Sequence, residues 1–271
     1  MAESKTKQTG ASVDNMRILV LCAALTAMSA LFAAAQTGRV VLIEEFAETG
    51  CSACAQYDSA FQAITDAHAD KVAVINFHCH YKSDPFYTFN KACDKRYAYY
   101  GLSGFPCAMM NGRNPAPASS HISFVTPARI NALYSQEPQF EFDIQSKTTG
   151  SGNTRTARIE VAATSLKDNP SKDLALFIVV TENNIIYEER YGSKSVNGIN
   201  RFNHIMRAML PDEEGTPIGA QTKGKMNNVE VTFANDEKEI NYTEVRIVAF
   251  VQDKTTKEVL GAAVTKEHPF K

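Results

Sequence analysis

Apolar residues fall into two regimes along this chain, one of helical and mixed period and one of strict alternation. The first opens with Arg39-Val40-Val41-Leu42-Ile43-Glu44-Glu45-Phe46, a nearly unbroken apolar run that predicts a buried strand. Ala55 to Ile64 then carries apolar positions at helical spacing, which predicts a helix to about Ala69. Lys71 to His78 predicts a second strand, so the three elements form a right-handed βαβ unit. After the irregular stretch Cys79 to Tyr87, a helix is expected over roughly Thr88 to Tyr99, broken by Gly101 and Gly104. Phe105 to Met110 reads as a short strand entering an Asn111-Gly112 hairpin turn. Asn114 to Ser123 is a Pro/Ala/Ser-rich loop, and Thr126-Pro127 supplies an N-cap and first-turn proline for a helix to about Ser135.

Past Gln136-Glu137-Pro138 the period changes to two. Phe140, Phe142 and Ile144 alternate with Glu141, Asp143 and Gln145, and Arg158 to Val161 repeats the scheme. Leu174 to Val180 is apolar throughout, and Val229 to Phe233, Val245 to Val251 and Val259 to Val264 complete about seven short strands. An antiparallel sandwich of the immunoglobulin-like kind is expected there. The predicted organisation is a leader at 1–35, an α/β domain at 36–137 and an all-β sandwich at 138–271.

The leader reading rests on Met16-Arg17, the apolar segment Ile18 to Phe32 and the small residues Ala33-Ala34-Ala35 before Gln36. Residues 1–15 are polar and without pattern, and read as a mis-started or non-native extension or a long n-region. Leu21 before Cys22 lacks the small residue expected of a lipidation signal. Export leaves Cys51, Cys54, Cys79, Cys93 and Cys107, an odd set that cannot all pair within one chain. A net charge of −2 without a basic aromatic stripe excludes a nucleic-acid partner.

Cys51-Ser52-Ala53-Cys54 stands where the first strand runs into the first turn of the helix. Unpaired N–H groups and the helix dipole favour a thiolate there, which points to thiol–disulfide exchange. An inert structural disulfide and half of a zinc site are the other readings of the same four residues. His204 reads as packing, and Asp212-Glu213-Glu214-Gly215 as a solvated turn.

Residues 39–135 resemble the thioredoxin superfamily in three places. The CxxC is the first. Glu45, six residues before Cys51, stands where that family has a buried acid, and Tyr100-Gly101-Leu102-Ser103-Gly104-Phe105-Pro106 matches its cis-proline motif. The resemblance implies a thioredoxin-like α/β fold in which Cys51 attacks a substrate disulfide and Cys54 resolves the mixed disulfide. It also implies that Glu45 accepts the Cys54 proton, and that a cis peptide at Pro106 offers the backbone of Phe105 to substrate. Two departures qualify it. Cys107 directly follows the proline, close enough in that fold to compete for Cys51. The insertion after the second strand adds His78-Cys79-His80 and Cys93, where a Cys79–Cys93 disulfide is one option and free thiols the other. Cys107 with His78 and His80 could instead take copper or zinc, although strand alternation separates Cys79 from the histidines.

The whole chain resembles a family of exported Bacteroides-type proteins grouped under an outer-membrane protein named for its mass of about twenty-eight kilodaltons. The residues that carry this resemblance are Val41 to Phe46, Ser83-Asp84-Pro85-Phe86-Tyr87, His204 to Pro211 and Ile247 to Lys254. It implies periplasmic or outer-membrane association, with attachment through a partner because barrel-forming strand repeats are missing. The expected role is an exported thiol–disulfide oxidoreductase acting on thiols or disulfides of exported proteins, with no cofactor. The alternatives are a non-catalytic surface-binding protein and a copper- or zinc-handling protein.

Overall fold

The computed structural model describes residues 38–89, 92–113, 121–150, 155–234, 240–266 and 269–270. The leader and the expected mature start near Gln36 lie outside the described residues, as does most of the Asn114 to Ser123 loop. β1 (Val41–Ala47) and β2 (Val72–His78) pair in parallel across α1 (Ser52–Asp66), with Val41 opposite Val72 and Ala47 opposite His78. β3 (Cys107–Met110) runs antiparallel along the other edge of β1, with Phe46 opposite Cys107.

Every residue of β1 and β2 is buried, so both faces of this part of the sheet are covered. On one face Val41, Ile43, Val72 and Val74 pack against Phe61 of α1 and Ile130 of α4 (Pro127–Tyr134), whose first turn Thr126 caps. On the other, Leu42, Phe46, Ile75 and Phe77 pack against Cys93 and Tyr97 of α3 (Ala92–Tyr100). The single helix expected before the proline motif is divided, because Asp84 and Pro85 start a separate short turn, α2 (Pro85–Phe89).

The remaining strands are β4 (Phe140–Thr149), β5 (Thr156–Ser165), β6 (Leu174–Glu182), β7 (Ile185–Ile186), β8 (Arg201–Phe202), β9 (Ile205–Leu210), β10 (Thr216–Pro217), β11 (Met226–Ala234), β12 (Val245–Asp253) and β13 (Val259–Val264). A short helix, α5 (Tyr187–Tyr191), lies between β7 and β8. β4, β5 and β11 form a three-stranded sheet. Its inward Phe140, Ile159, Val161 and Phe233 pack on Leu176, Ile178, Ile247 and Ala249 of β6 and β12. The alternation read over Phe140 to Ile144 is this inward–outward pattern.

The expected fold class, a thioredoxin-like α/β domain followed by a separate immunoglobulin-like all-β sandwich, is overturned by the sheet order. Strands from both halves share one mixed sheet of order β13-β12-β6-β9-β2-β1-β3, with β10 added beside β6, and the chain is mostly β. β9 makes the join. It pairs antiparallel with β6 and meets β2 in parallel at Asn76 opposite Ile205, where the Asn76 N–H donates to the His204 carbonyl at 2.8 Å. The apolar cluster over this sheet is correspondingly continuous, from Leu42 and Phe46 to Phe177 and Phe250. β6 is buried at all nine positions because it has a layer on each face.

The two adjacent glutamates of β1 go to opposite faces. Glu44 meets the Arg96 guanidinium at 2.6 Å and accepts from the Tyr100 hydroxyl, while Arg96 lies over the rings of Phe177 and Phe250. Its charge is therefore matched inside the core. Glu45 emerges on the α1 face.

Candidate functional site

Cys51 is the N-cap of α1, and its sulfur accepts the Cys54 N–H at 2.9 Å. The two cysteines are joined in a disulfide, with Cys51 half-buried and Cys54 only 5% exposed. Cys51 is thus the more exposed residue of the pair and Cys54 the inward one. The turn that presents them is fastened from three sides. The Thr49 N–H donates to Asp84 at 2.7 Å, and the Asn197 side-chain amide donates to the carbonyls of Glu48 and Cys51 at 3.2 and 3.3 Å. Tyr81 packs so closely on Gly50 that a Cβ there would stand 3.0 Å from its ring.

Behind Cys54 is a small cleft lined by Glu45, Glu48, Asp58, Asn76, His78 and Asn197. Glu45 is 5% exposed, as the buried acid of the resemblance requires. Burial pushes its pKa up to about 8, and Asp58, one helical turn beyond Cys54, pushes it further the same way. Burial also raises Asp58 and Glu48 above their ordinary values. The inward sulfur therefore lies in an acidic setting, with His78 the only basic side chain lining the cleft among the described residues.

The Phe105–Pro106 peptide is cis. Continuing the β1–β3 register from Phe46 and Cys107 puts Pro106 level with Ala47, at the end of β1 that leads to the disulfide. Phe105 is half-buried against Tyr97 and His80, with ring centroids 5.2 and 6.0 Å away. Cys107 is buried, and its thiol donates to the Gly104 carbonyl at 2.8 Å.

The option of a second disulfide is not realised, since Cys79 and Cys93 are both free and buried. They lie within hydrogen-bonding reach of each other, and burial, then the Cys93 contact, pushes the Cys79 thiol far above its ordinary range. The copper or zinc set of Cys107, His78 and His80 does not assemble. His78 is buried on Asp84, His80 is exposed with its ring on Asp94, and no three metal-ligating residues converge among the described residues.

Asp84 and Asn197 carried no role in the sequence reading. Asp84 had a readable sign, an aspartate directly before a proline at a helix start, and its carboxylate does accept the Phe86 N–H at 2.9 Å. Asn197 had none, because it reaches the site from 146 residues away.

A family model described as outer membrane protein Omp28 matches residues 93–268. The chain belongs to the outer membrane protein Omp28 family. Membership makes it an exported protein of the periplasm or outer membrane, in agreement with the sequence expectation. Among the described residues no helix is long and apolar enough to cross a membrane. The matched segment starts at Cys93, so it leaves Glu45, Cys51, Cys54 and His78 outside what Omp28 membership covers. No curated protein sequence matches the chain.

Among solved structures, HBP35 of Porphyromonas gingivalis is similar at 16% identity and a TM-score of 0.66, covering 86% of this chain and 77% of its own. A protein of Agrobacterium tumefaciens is similar at 16% identity and a TM-score of 0.50, covering 83% and 94%. At these identities the likeness is one of fold.

Proposed function

We propose that this Omp28 family member is an exported thiol–disulfide oxidoreductase whose exchanging pair is Cys51–Cys54. The observation that carries the reading is Glu45, a buried carboxyl without a cationic partner among the described residues, on the same cleft as the inward sulfur. A disulfide that only staples the chain has no use for such a group, which costs stability wherever it ionises.

The chemistry needs three groups. A dithiol donor attacks Cys51, the accessible sulfur, as thiolate; a donor sulfur–Cys51 bond forms, the Cys51–Cys54 bond breaks, and its electron pair leaves on Cys54. Glu45, protonated below about pH 8, gives its proton to that thiolate. The second donor thiol, as thiolate, then attacks its own sulfur in the mixed disulfide and releases Cys51 as thiolate. In the other direction the Cys51 thiolate attacks a disulfide of an exported protein, and Cys54, deprotonated by the Glu45 carboxylate, displaces the product.

Acidic neighbours oppose the thiolate that the helix N-terminus favours, and a less stabilised thiolate makes the reduced pair a better electron donor. The reading is therefore of a pair that reduces or reshuffles substrate disulfides. Turnover of insulin disulfides with a dithiol as electron source checks it. The reading expects reduction well above the dithiol-only rate, and a rate equal to that background would overturn it.

A further inference from the structure

The cleft behind Cys54 has a second wall that the scheme above does not use. His78 ends β2, is 2% exposed, and holds its Nδ1 2.6 Å from the Asp84 carboxylate. Asp84 is fully buried and also accepts the Thr49 and Phe86 N–H groups, so it cannot turn away. Burial alone would raise its pKa, but His78 and those two amides hold it below its ordinary value. A charged Asp84 keeps a proton on Nδ1, which leaves Nε2 as the atom that can exchange one.

That Nε2 is buried without a hydrogen-bond partner among the described residues, and so is the side-chain oxygen of Asn76. Both residues line the cleft with Glu45 and Cys54. The β1–β2 register sets Glu45 beside Asn76, and His78 is two residues further along the same face. The cleft as a whole offers about 10 Å³, room for one water-sized molecule with several polar partners.

We propose that one water fills this cleft and that it carries protons between Glu45 and the His78–Asp84 pair as the disulfide opens and closes. The inference rests on the oxidoreductase reading. When Cys54 leaves as thiolate it takes the Glu45 proton. The Glu45 carboxylate then regains a proton from the water as the water takes one from Nε2 of a protonated His78, and a proton returns to Nε2 from solvent through the half-buried Glu48 carboxyl on the same cleft. When Cys54 is deprotonated the same path runs backwards. The other ionisable groups facing the path are Glu48 before α1 and Asp58 on α1, both acidic. His78 touches neither sulfur. It acts through Glu45 and is a positioning residue in the proton path.

The test is the rate at which dithiothreitol reduces the oxidised full chain between pH 5 and 9, for the parent, His78→Asn and Glu45→Gln. Asparagine keeps an N–H toward Asp84 and removes Nε2. The parent rate is expected to follow the Glu45 ionisation at about 8, and H78N to run about ten-fold below the parent near pH 6. Superimposable parent and H78N profiles would overturn the relay. Nitrogen-15 titration of the His78 ring needs no folded His78 variant. Its midpoint is expected to differ between the oxidised parent and E45Q, and the same midpoint in both counts against the relay. If dithiothreitol fails to reduce even the parent, the oxidoreductase reading fails, while the ring titration still reports whether His78 and Glu45 are coupled.

Discussion

Glu45→Gln makes the oxidised protein more stable than the parent by about 5 kcal/mol at pH 9 and leaves it nearly unchanged at pH 4. The sign follows from linkage. The folded-state pKa of Glu45 is raised from 4.5 to about 8, so the folded protein keeps a proton that the unfolded chain gives up. The stability that the protonated carboxyl contributes is fully present below pH 4.5, and it is lost as the pH rises through 8. Glutamine is neutral at every pH and never incurs that loss. Urea unfolding of the oxidised parent and variant at half-unit steps from pH 4 to 9 measures the difference, with the disulfide intact so that Cys51 and Cys54 do not titrate, and with the free thiols of Cys79, Cys93 and Cys107 common to both proteins and cancelling in the difference. Parallel curves would mean that Glu45 is not held protonated in the fold.

The same carboxyl gives Cys51 and Cys54 different expected losses. Cys51→Ser removes the sulfur that meets the substrate and should lower insulin turnover at least about a thousand-fold, to the level of the dithiol alone. Cys54→Ser keeps the attacking sulfur and removes the resolving one, so it should accumulate covalent adducts with substrate that a reductant releases. A staple would behave otherwise. Both serine variants would then lower the unfolding midpoint by similar amounts, and neither would trap anything. Non-reducing electrophoresis with mass spectrometry of the trapped species separates the two cases. Cys79, Cys93 and Cys107 are buried in the apolar core and should not substitute for either residue.

The run from Val41 to Phe46, the helix after Cys51 and the strand to His78 were readable because each carries its own period. Their junction puts the two cysteines at a helix start without help from the rest of the chain. Glu45 was readable only as a position, since its burial depends on α1 and on the far segment around Asn197. β9 was missed, and with it the architecture. Ile205-Met206-Arg207-Ala208-Met209-Leu210 has a charge in its middle and no alternation. That charge is buried because Arg207 meets Glu182 of β6 at 2.7 Å, a partner no local pattern reveals. Once β9 lies between β2 and β6, two expected folds become one sheet. His78 was noticed as a possible metal ligand, whereas the structure seats its ring on Asp84 at 2.6 Å, a partner six residues further along the chain.

The most direct measurement is the reduction potential of Cys51–Cys54, read by equilibrating the folded protein in dithiol buffers and counting alkylated cysteines by mass spectrometry. The acidic surroundings lead to a single two-electron transition at about −250 mV, with Cys79, Cys93 and Cys107 unchanged throughout. A pair that stays oxidised below about −300 mV, and opens only when the protein unfolds, would contradict the account and leave a structural link in its place.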